Sequence, residues 1–402
     1  CDRRTETVMA LGLFPLPDPE TLASAFTELK ELLSAHGYAR VTALPFPGKL
    51  SHLLYEPGVF RRLVANKPNA YESSPLAPIY YSRFAKRHAD AYVLFRAFSL
   101  GEAQLTTVLT QILGEASYRR LAELGVLAEQ GQRTQTRLLA TPYGDRIYFH
   151  DVNSIDEEEK PDFVFLGRCS MRLAGQVSQE LGDQMVGRSL DLCTGSGIQA
   201  LTVADRVREV HGSDVNLRAL TFARANARAN GILHAHFKTS DVFNAIEGRY
   251  DIITANTPFL LLREGSKARD GYGGKYGMEI ELRLFQELGQ RLEENGRSWI
   301  VASSAIVDGR NLLIEKLEEM YRDTKLTVDL FPISEYYSGP HYDVYEALGV
   351  ERCVLYIVRS VKQGRPFSLT EHRWPPLVGA AYRANVTLAR WRGRRAAVRA
   401  GA

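Results

Sequence analysis

Alternating strand and helix patterns in the second half of the chain constrain its fold more than any other feature. Apolar runs typical of buried strands are predicted at 189–193, 209–214, 234–239, 251–255, 297–303, 326–330 and 353–360. Helical periodicity is predicted between them, at 197–208, 216–230, 278–293 and 309–322. Because such alternation places helices on both faces of a parallel sheet, it predicts an α/β domain.

The first 150 residues have a different pattern. Helices are predicted at 21–34 and across 89–127, and six prolines punctuate the stretch between them. A strand at 134–140, a turn at 141–145 and a returning strand at 146–150 follow. Three helices and a hairpin are the element order of a winged helix. A small α+β accessory domain with no groove-binding role is the more common alternative.

A charged segment at 156–161 marks the predicted domain boundary. We expect a mostly α accessory domain with a C-terminal hairpin at 1–155, the α/β domain at 156–382 and a basic tail at 383–402. The tail holds six arginines and no acidic residue. Such a segment is more typical of a frayed or solvated end than of a phosphate-binding element.

Composition excludes several classes of protein. Fifty basic and 47 acidic side chains leave a net charge of +3, which is too small to indicate a nucleic-acid binder by itself. No apolar run approaches the roughly 20 residues of a membrane helix. Four cysteines without a C-x-x-C pair favour a reducing, cytoplasmic location over a disulfide framework. His234 and His236 have no suitably spaced partner, so no metal site is expected.

A glycine-containing turn follows the first predicted strand of the α/β domain. It reads DLCTGSGIQA at 191–200. Gly195 and Gly197 permit a tight bend and the close approach of a ligand to the main chain. The helix that begins there offers free N–H groups and a partial positive charge. With Asp214 at the end of the next strand, the pattern is also compatible with a dinucleotide fingerprint.

Polar residues end each of the first four predicted strands. Asp191 would repel a pyrophosphate but tolerate or orient a cationic ligand. Asp241 and Val242, after the third strand, offer an acceptor and an apolar flank suited to adenine. The fourth strand ends in Asn256-Thr257-Pro258-Phe259, a tetrad that hydride transfer does not require. Because the carboxyl ends of parallel strands share one edge, these residues should line one crevice.

These residues resemble the class I S-adenosylmethionine-dependent methyltransferases over about residues 166–360. The resemblance is to the branch with an N-P-P-[YF] tetrad, which includes protein-glutamine N5-methyltransferases and adenine- and guanine-amino methyltransferases. Thr257 stands in place of the first proline. The segment 269–279 resembles the glycine-rich, substrate-side loop that follows the tetrad in members with an extra N-terminal domain.

The resemblance implies a seven-stranded, doubly wound Rossmann-like domain that binds S-adenosylmethionine and releases S-adenosylhomocysteine. It implies that Asp214 binds the ribose hydroxyls, that Asp241 and Val242 bind adenine, and that the turn at 195–197 binds the methionine portion. The implied cofactor site comprises Asp191, Thr194, Gly195, Ser196, Gly197, Asp214, Val215, Asp241, Val242 and Asn256.

The tetrad has a chemical logic. An amine or amide nitrogen conjugated to a planar group is a weak nucleophile, because its lone pair is delocalised. Accepting both N–H hydrogens, on an Asn oxygen and a neighbouring backbone carbonyl, frees that lone pair, and catalysis is then mostly positioning. The implied catalytic residues are Asn256, Pro258 and Phe259. The implied substrate-side residues are Asn256, Thr257, Phe259, Tyr272 and Tyr276.

The acceptor is left open among an RNA base, a protein amide and a small metabolite, and so is the oligomeric state. One alternative is methylation of a natural-product intermediate on nitrogen or oxygen. A second, of another class, is a winged-helix nucleic-acid binder with a non-catalytic cofactor domain. A third is a nicotinamide-dependent oxidoreductase.

Overall fold

The computed structural model describes residues 14–39, 87–151, 162–263, 271–338 and 341–400. The predicted boundary segment at 156–161 and the start of the glycine-rich loop, with Arg269 and Asp270, lie outside these residues. So does most of the proline-punctuated stretch. The observed elements are therefore given for the described ranges.

The N-terminal part contains the element order of a winged helix. Helix α1 (Pro19–Ala35) begins at Asp18, whose carboxylate accepts the N–H groups of Glu20 and Thr21. The following elements are α2 (Ala89–Phe98), β1 (Gln104–Leu105), α3 (Thr106–Leu113), α4 (Glu115–Glu123), β2 (Leu127–Gln130) and β3 (Arg133–Thr136). The strands form an antiparallel sheet in the order β1-β3-β2. The wing is thus the β2–β3 hairpin, which lies earlier in the chain than predicted.

The prediction of one strand at 134–140 is wrong, because the chain changes sheets at Arg137. Strand β4 (Leu138–Tyr143) pairs with β5 (Arg146–Asp151) in a separate two-stranded hairpin. No glycine or proline marks this change of direction, so the sequence could not show that β3 and β4 have different partners. The returning strand agrees with the prediction. The predicted turn at 141–145 is too long, because β4 continues to Tyr143 and the turn comprises only Gly144 and Asp145.

The α/β part is built on one nine-stranded sheet. Its helices are α5 (Arg168–Leu181), α6 (Ile198–Thr202), α7 (Leu217–Ala229), α8 (Glu279–Arg291), α9 (Leu312–Tyr321), α10 (Tyr342–Ala347) and α11 (Pro376–Ala400). Its strands are β6 (Val186–Leu192), β7 (Val207–Asp214), β8 (Ala235–Thr239), β9 (Tyr250–Asn256), β10 (Leu292–Val307), β11 (Arg310–Asn311), β12 (Leu326–Tyr336), β13 (Val350–Lys362) and β14 (Ser368–Glu371).

The strand order is β14-β12-β13-β10-β9-β6-β7-β8, with β11 paired to β10. The run from β8 to β10 is parallel, and β13 lies antiparallel between β10 and β12. The order reverses between β6 and β9, which is the switch point where ligands bind in open α/β sheets. The predicted doubly wound α/β fold is confirmed, with β11 and β14 as short additions to the seven predicted strands.

The N-terminal part and the α/β part share a hydrophobic cluster. Phe26 of α1 packs against Phe222 of α7 and against Phe149 of β5, with ring centroids 5.6 and 4.4 Å apart. The buried Asn226 side chain also bonds to both the N–H and the carbonyl of Phe149. The β4–β5 hairpin is therefore anchored to helix α7.

The basic C-terminal segment is helical rather than frayed. In α11, Tyr382, Val386 and Ala389 are buried at helical spacing, and the Tyr382 hydroxyl donates to the Ile333 carbonyl of β12. The expectation of a frayed tail missed this apolar stripe because the arginines around it dominate the composition. Within the described ranges, no helix combines the length and apolar character that crossing a bilayer requires.

Candidate functional site

Asp191 lies beneath the glycine turn at the carboxyl end of β6. Its side chain is 1% exposed. One carboxylate oxygen accepts the Thr194 hydroxyl at 2.6 Å, and the other accepts the Thr254 hydroxyl of β9 at 2.8 Å. Burial raises the pKa of Asp191 to about 7, and the two hydroxyls oppose that rise. The carboxyl group therefore links Thr194 of the turn to Thr254 of the neighbouring strand β9.

The turn itself requires its glycines. Gly195 and Gly197 both have positive φ, at 53° and 85°. A Cβ atom at Gly197 would lie 3.3 Å from the Ala223 Cβ of α7, so the missing side chain lets the turn pack onto that helix. The Gly195 N–H donates to Asp214 at 3.0 Å. Ser196 is buried, and its carbonyl accepts the Asn226 amide at 2.9 Å.

Asp214 ends β7 beside this turn. Its second oxygen accepts the Asn216 N–H at 2.9 Å. Burial raises the pKa of Asp214, and the N–H groups of Asn216 and Gly195 oppose the rise. Each carboxylate oxygen has a further lone pair, so the group can still accept two hydroxyls at the strand tip. The next residue, Val215, is 64% exposed.

Asp241 is engaged by an ion pair that the sequence did not predict. Arg283 of α8 approaches both of its carboxylate oxygens, at 2.7 and 3.1 Å. Both side chains are exposed, and exposed pairs of this kind contribute only about 0–1 kcal/mol, so a ligand can displace the contact. The adjacent Val242 is buried, and the Ser240 hydroxyl donates to its carbonyl at 2.8 Å.

Asn256 ends β9, the neighbour of β6 across the switch point. Its side-chain NH₂ donates to the Ser170 hydroxyl of α5 at 2.9 Å. Its side-chain oxygen is buried and has no hydrogen-bond partner among the residues that the structure describes. Native proteins pair most buried polar atoms, so an unpaired acceptor of this kind indicates an absent donor.

The other tetrad residues are held through different contacts. The Thr257 hydroxyl donates to the Val301 carbonyl of β10 at 2.9 Å, and Thr257 is buried. The Phe259 carbonyl accepts the Tyr336 hydroxyl at 3.2 Å, with the two ring centroids 6.5 Å apart. Pro258 and the Phe259 ring are only partly buried. The tetrad therefore combines an amide oxygen and an aromatic ring with a backbone that is held by hydrogen bonds at Thr257 and Phe259.

Tyr272 and Tyr276 belong to the loop that follows the tetrad. Tyr272 forms an isolated bridge with Leu260. Tyr276 has a φ of 61° and packs partly against the main core cluster. Within the described part of this loop it is Gly277 that approaches the tetrad, because a Cβ there would lie 2.5 Å from the Phe259 carbonyl oxygen. The role of both tyrosines stays a prediction.

Backbone strain is concentrated around this crevice. Among the described residues, five that are not glycine have a positive φ, and three of these five are Cys193, Val242 and Tyr276. A β-branched residue such as valine in this region is strained, at a cost of about 1–3 kcal/mol. Burial raises the pKa of the Cys193 thiol well above its ordinary value, so it is not a nucleophile.

Three residues of this site escaped the sequence analysis. Ser170 contacts Asn256, Arg283 contacts Asp241 and Glu281 contacts Ser303, and Ser170 and Arg283 carry no local signal. Glu281 does, because it occupies the apolar stripe that Leu284 and Leu288 continue along α8. A carboxylate on a predicted core face indicates either a partner or a function.

Comparison with known proteins finds similarity to methyltransferases. The family model of the methyltransferase small domain matches residues 174–328. A presumed protein N5-glutamine methyltransferase of Methanocaldococcus jannaschii is 32% identical over 138 residues, which are 33% of this chain and 68% of that protein. A ribosomal protein uL3 glutamine methyltransferase of Xanthomonas campestris is 30% identical over 128 residues, 29% of this chain and 42% of that protein.

A release factor glutamine methyltransferase of Xylella fastidiosa is 36% identical over 95 residues. The match covers 23% of this chain and 34% of that protein, so the chain spans less than half the length of the last two relatives. Among solved structures, a 16S rRNA methyltransferase of T. thermophilus in complex with AdoMet and guanosine gives a TM-score of 0.39 at 17% identity. That alignment covers 65% of this chain and 63% of the other.

Proposed function

The chain belongs to the class I S-adenosylmethionine-dependent methyltransferases, and from that premise we propose that it methylates the side-chain amide nitrogen of a glutamine in a protein. The relatives named as glutamine methyltransferases support this acceptor. So does the tetrad, whose Asn256 oxygen faces no donor within the described protein. Membership of an enzyme family disfavours the alternative of a non-catalytic cofactor domain.

The unpaired oxygen of Asn256 is the observation that carries the proposal. Ser170 occupies the NH₂ of that amide, so the oxygen is the group left to receive a donor. An acceptor nitrogen with N–H hydrogens would supply the missing hydrogen bond. A substrate oxygen without a hydrogen would leave the buried oxygen unpaired, at a cost of about 1–3 kcal/mol.

The strand tips fit S-adenosylmethionine. In this proposal Asp214 accepts the ribose hydroxyls with its free lone pairs, and Val242 and the exposed Val215 flank the adenine. Asp241 accepts a hydrogen bond from the adenine amine after the ligand displaces Arg283 from its carboxylate. The turn at 194–197 receives the methionine portion, where the two glycines allow close approach to the main chain. When bound, the cofactor supplies an electrophilic methyl group on a sulfonium centre.

The protein's own contribution is then to hold the acceptor. Asn256 and the Thr257 carbonyl accept the two N–H hydrogens of the amide, which draws the nitrogen toward tetrahedral geometry. Phe259 stacks on the amide plane. As the methyl group would pass from sulfur to nitrogen, the thioether product would leave, and the cationic methylated amide would be acidic enough to release its proton to water without a strong base. Orientation of this kind can supply several kcal/mol.

Transfer of a labelled methyl group tests the proposal. The purified chain is incubated with S-adenosylmethionine labelled in its methyl group and with protein from cells that lack its gene. We expect label in protease-sensitive, RNase-resistant material and N5-methylglutamine in the digest by mass spectrometry. Asn256→Ala should abolish transfer, whereas the exposed amide variant Gln290→Ala should not. Label that is RNase-sensitive, or equal transfer by Asn256→Ala, would refute the assignment.

A further inference from the structure

Glu281 is a fully buried carboxyl group that has no cationic partner among the described residues. It is 0% exposed, and it lies in the first turn of α8 among the apolar side chains of that helix. Burial raises the pKa of Glu281 well above its ordinary value, and the hydrogen bond from the Ser303 N–H opposes the rise. Burying such a group is costly unless its hydrogen bonds are made elsewhere, so its placement calls for an explanation.

The position of Glu281 coincides with a gap in strand pairing. Strand β9 leaves the sheet after Asn256, which pairs with Val301, and β11 pairs with β10 only from Ile306 onward. Between these points the edge of β10 faces no strand on that side. The Val301 carbonyl is taken by the Thr257 hydroxyl at 2.9 Å, and the Ser303 N–H is taken by the Glu281 carboxyl, also at 2.9 Å.

The same contacts reach the far end of the tetrad. The Ser303 hydroxyl lies 3.0 Å from the Tyr336 hydroxyl, which donates to the Phe259 carbonyl at 3.2 Å. Glu281, Ser303 and Tyr336 therefore form one hydrogen-bonded group, here called the Glu281 cluster. Through Thr257 and Phe259 it contacts the residues on both sides of Pro258.

We propose that Glu281 is a positioning residue that restrains the backbone of the tetrad and compensates for the proline that Thr257 replaces. Proline would restrict the backbone by its ring, whereas threonine must be restrained by what surrounds it. The inference rests on the proposed function, since it concerns the acceptor side of the same site. Glu281 itself is 0% exposed, so it acts through the tetrad and not by contact with the acceptor.

The carboxyl group acts in its neutral form. Its second oxygen is buried and unpaired, and no charged group faces it from α8, β10, β12 or β13, where the neighbouring titratable groups are Tyr336 and Cys353. A neutral carboxyl can accept from Ser303 and donate toward the Thr257 hydroxyl. A glutamine amide can do the same, so charge is not needed.

Two substitutions separate positioning from folding. Glu281→Leu removes a costly buried carboxyl group but leaves the Ser303 N–H without its acceptor, so the thermal midpoint should change little while kcat falls by about 10- to 100-fold. Glu281→Gln should stay within about threefold of the wild-type kcat. Both should bind S-adenosylmethionine with wild-type affinity. The control is Glu287→Leu, at a partly exposed position of α8 where the carboxylate pairs with Arg291. Full activity of Glu281→Leu, or equal loss in Glu281→Gln, would overturn the proposal.

Hydrogen exchange gives a readout that does not depend on the acceptor. Peptides covering 256–262 should exchange faster in Glu281→Leu than in the wild type, and Glu281→Gln should match the wild type. Unchanged exchange in Glu281→Leu would contradict the positioning role even if glutamine methylation is established. Faster exchange with no methyl transfer by the wild type to glutamine would instead sustain the positioning role and refute the proposed function.

Discussion

Replacing Asp191 by asparagine should change how the stability of the protein depends on pH. The carboxyl group is 1% exposed and accepts the hydroxyls of Thr194 and Thr254, with a weaker contribution from the Ala200 N–H. Burial raises its pKa from 3.8 to about 7 in the folded protein. In the unfolded chain the group has its ordinary pKa, so between these two values the unfolded state has lost a proton that the folded state keeps.

The sign follows from that difference. Because the folded state binds more protons, the free energy of unfolding falls as the pH rises from about 4 to about 7, and it levels off above the folded pKa. Across this whole range the free energy of unfolding falls by about 4 kcal/mol, because each tenfold difference in proton affinity between the two states is worth about 1.4 kcal/mol. Between about pH 5.5 and about pH 8, Asp191 alone should remove about 2 kcal/mol.

Urea unfolding of the cofactor-free protein at several pH values measures this effect. Other carboxyl groups also titrate, so the quantity of interest is the difference between Asp191→Asn and the wild type. That difference should shift in favour of the variant by about 2 kcal/mol between about pH 5.5 and about pH 8. Thr254→Val, which removes one donor and keeps the carboxyl group, should retain the wild-type direction. A difference that is constant with pH would refute the reasoning.

Three other substitutions test separate parts of the site. Asp214→Ala should weaken S-adenosylmethionine binding by about 1–3 kcal/mol in calorimetry, and unchanged affinity would defeat its role at the ribose. Ser170→Ala should lower kcat about tenfold without changing cofactor affinity, and Ser170→Thr should restore it; failure of threonine to rescue would argue against a role in orienting Asn256. Gly277→Ala should lower both the thermal midpoint and kcat, because its Cβ would lie 2.5 Å from the Phe259 carbonyl oxygen; wild-type values of both would contradict that contact.

The α/β part of the fold could be predicted from sequence because its signals are local. Each buried strand is a short apolar run, and helices such as α7 carry their own start signal, here the Asn216 side chain that caps two N–H groups. The short strands β11 and β14 could not be foreseen. Strand β14 is mostly exposed, without the apolar run of a buried strand, and pairs in parallel with β12.

The site was predictable only where a residue sits at the end of a strand. Topology brings the ends of β6, β7 and β9 to one edge, so Asp191, Asp214 and Asn256 could be grouped without coordinates. Contacts made from elements distant in sequence could not. Arg283 contacts Asp241 across 42 positions of sequence, and Ser170 contacts Asn256 across 86. A single sequence contains no pattern that indicates contacts at such separations.

Thr257 shows where sequence reasoning and structure differ. By itself, the tetrad pattern predicts that proline at this position preserves turnover. The hydrogen bond from the Thr257 hydroxyl to Val301 and its proximity to Glu281 predict a loss instead. That loss should be smaller when Glu281→Leu has already removed part of the same support, so the two losses should not add in the double variant. Additive losses would show that the two residues act independently.

A crystal structure with bound S-adenosylmethionine tests the central claim most directly. We predict the ribose hydroxyls within hydrogen-bond distance of Asp214, the adenine between Val242 and Val215, and the sulfonium methyl group directed toward the Asn256 oxygen. A nucleoside bound away from the tips of β6, β7 and β9, or a methyl group directed away from Asn256, would contradict the account.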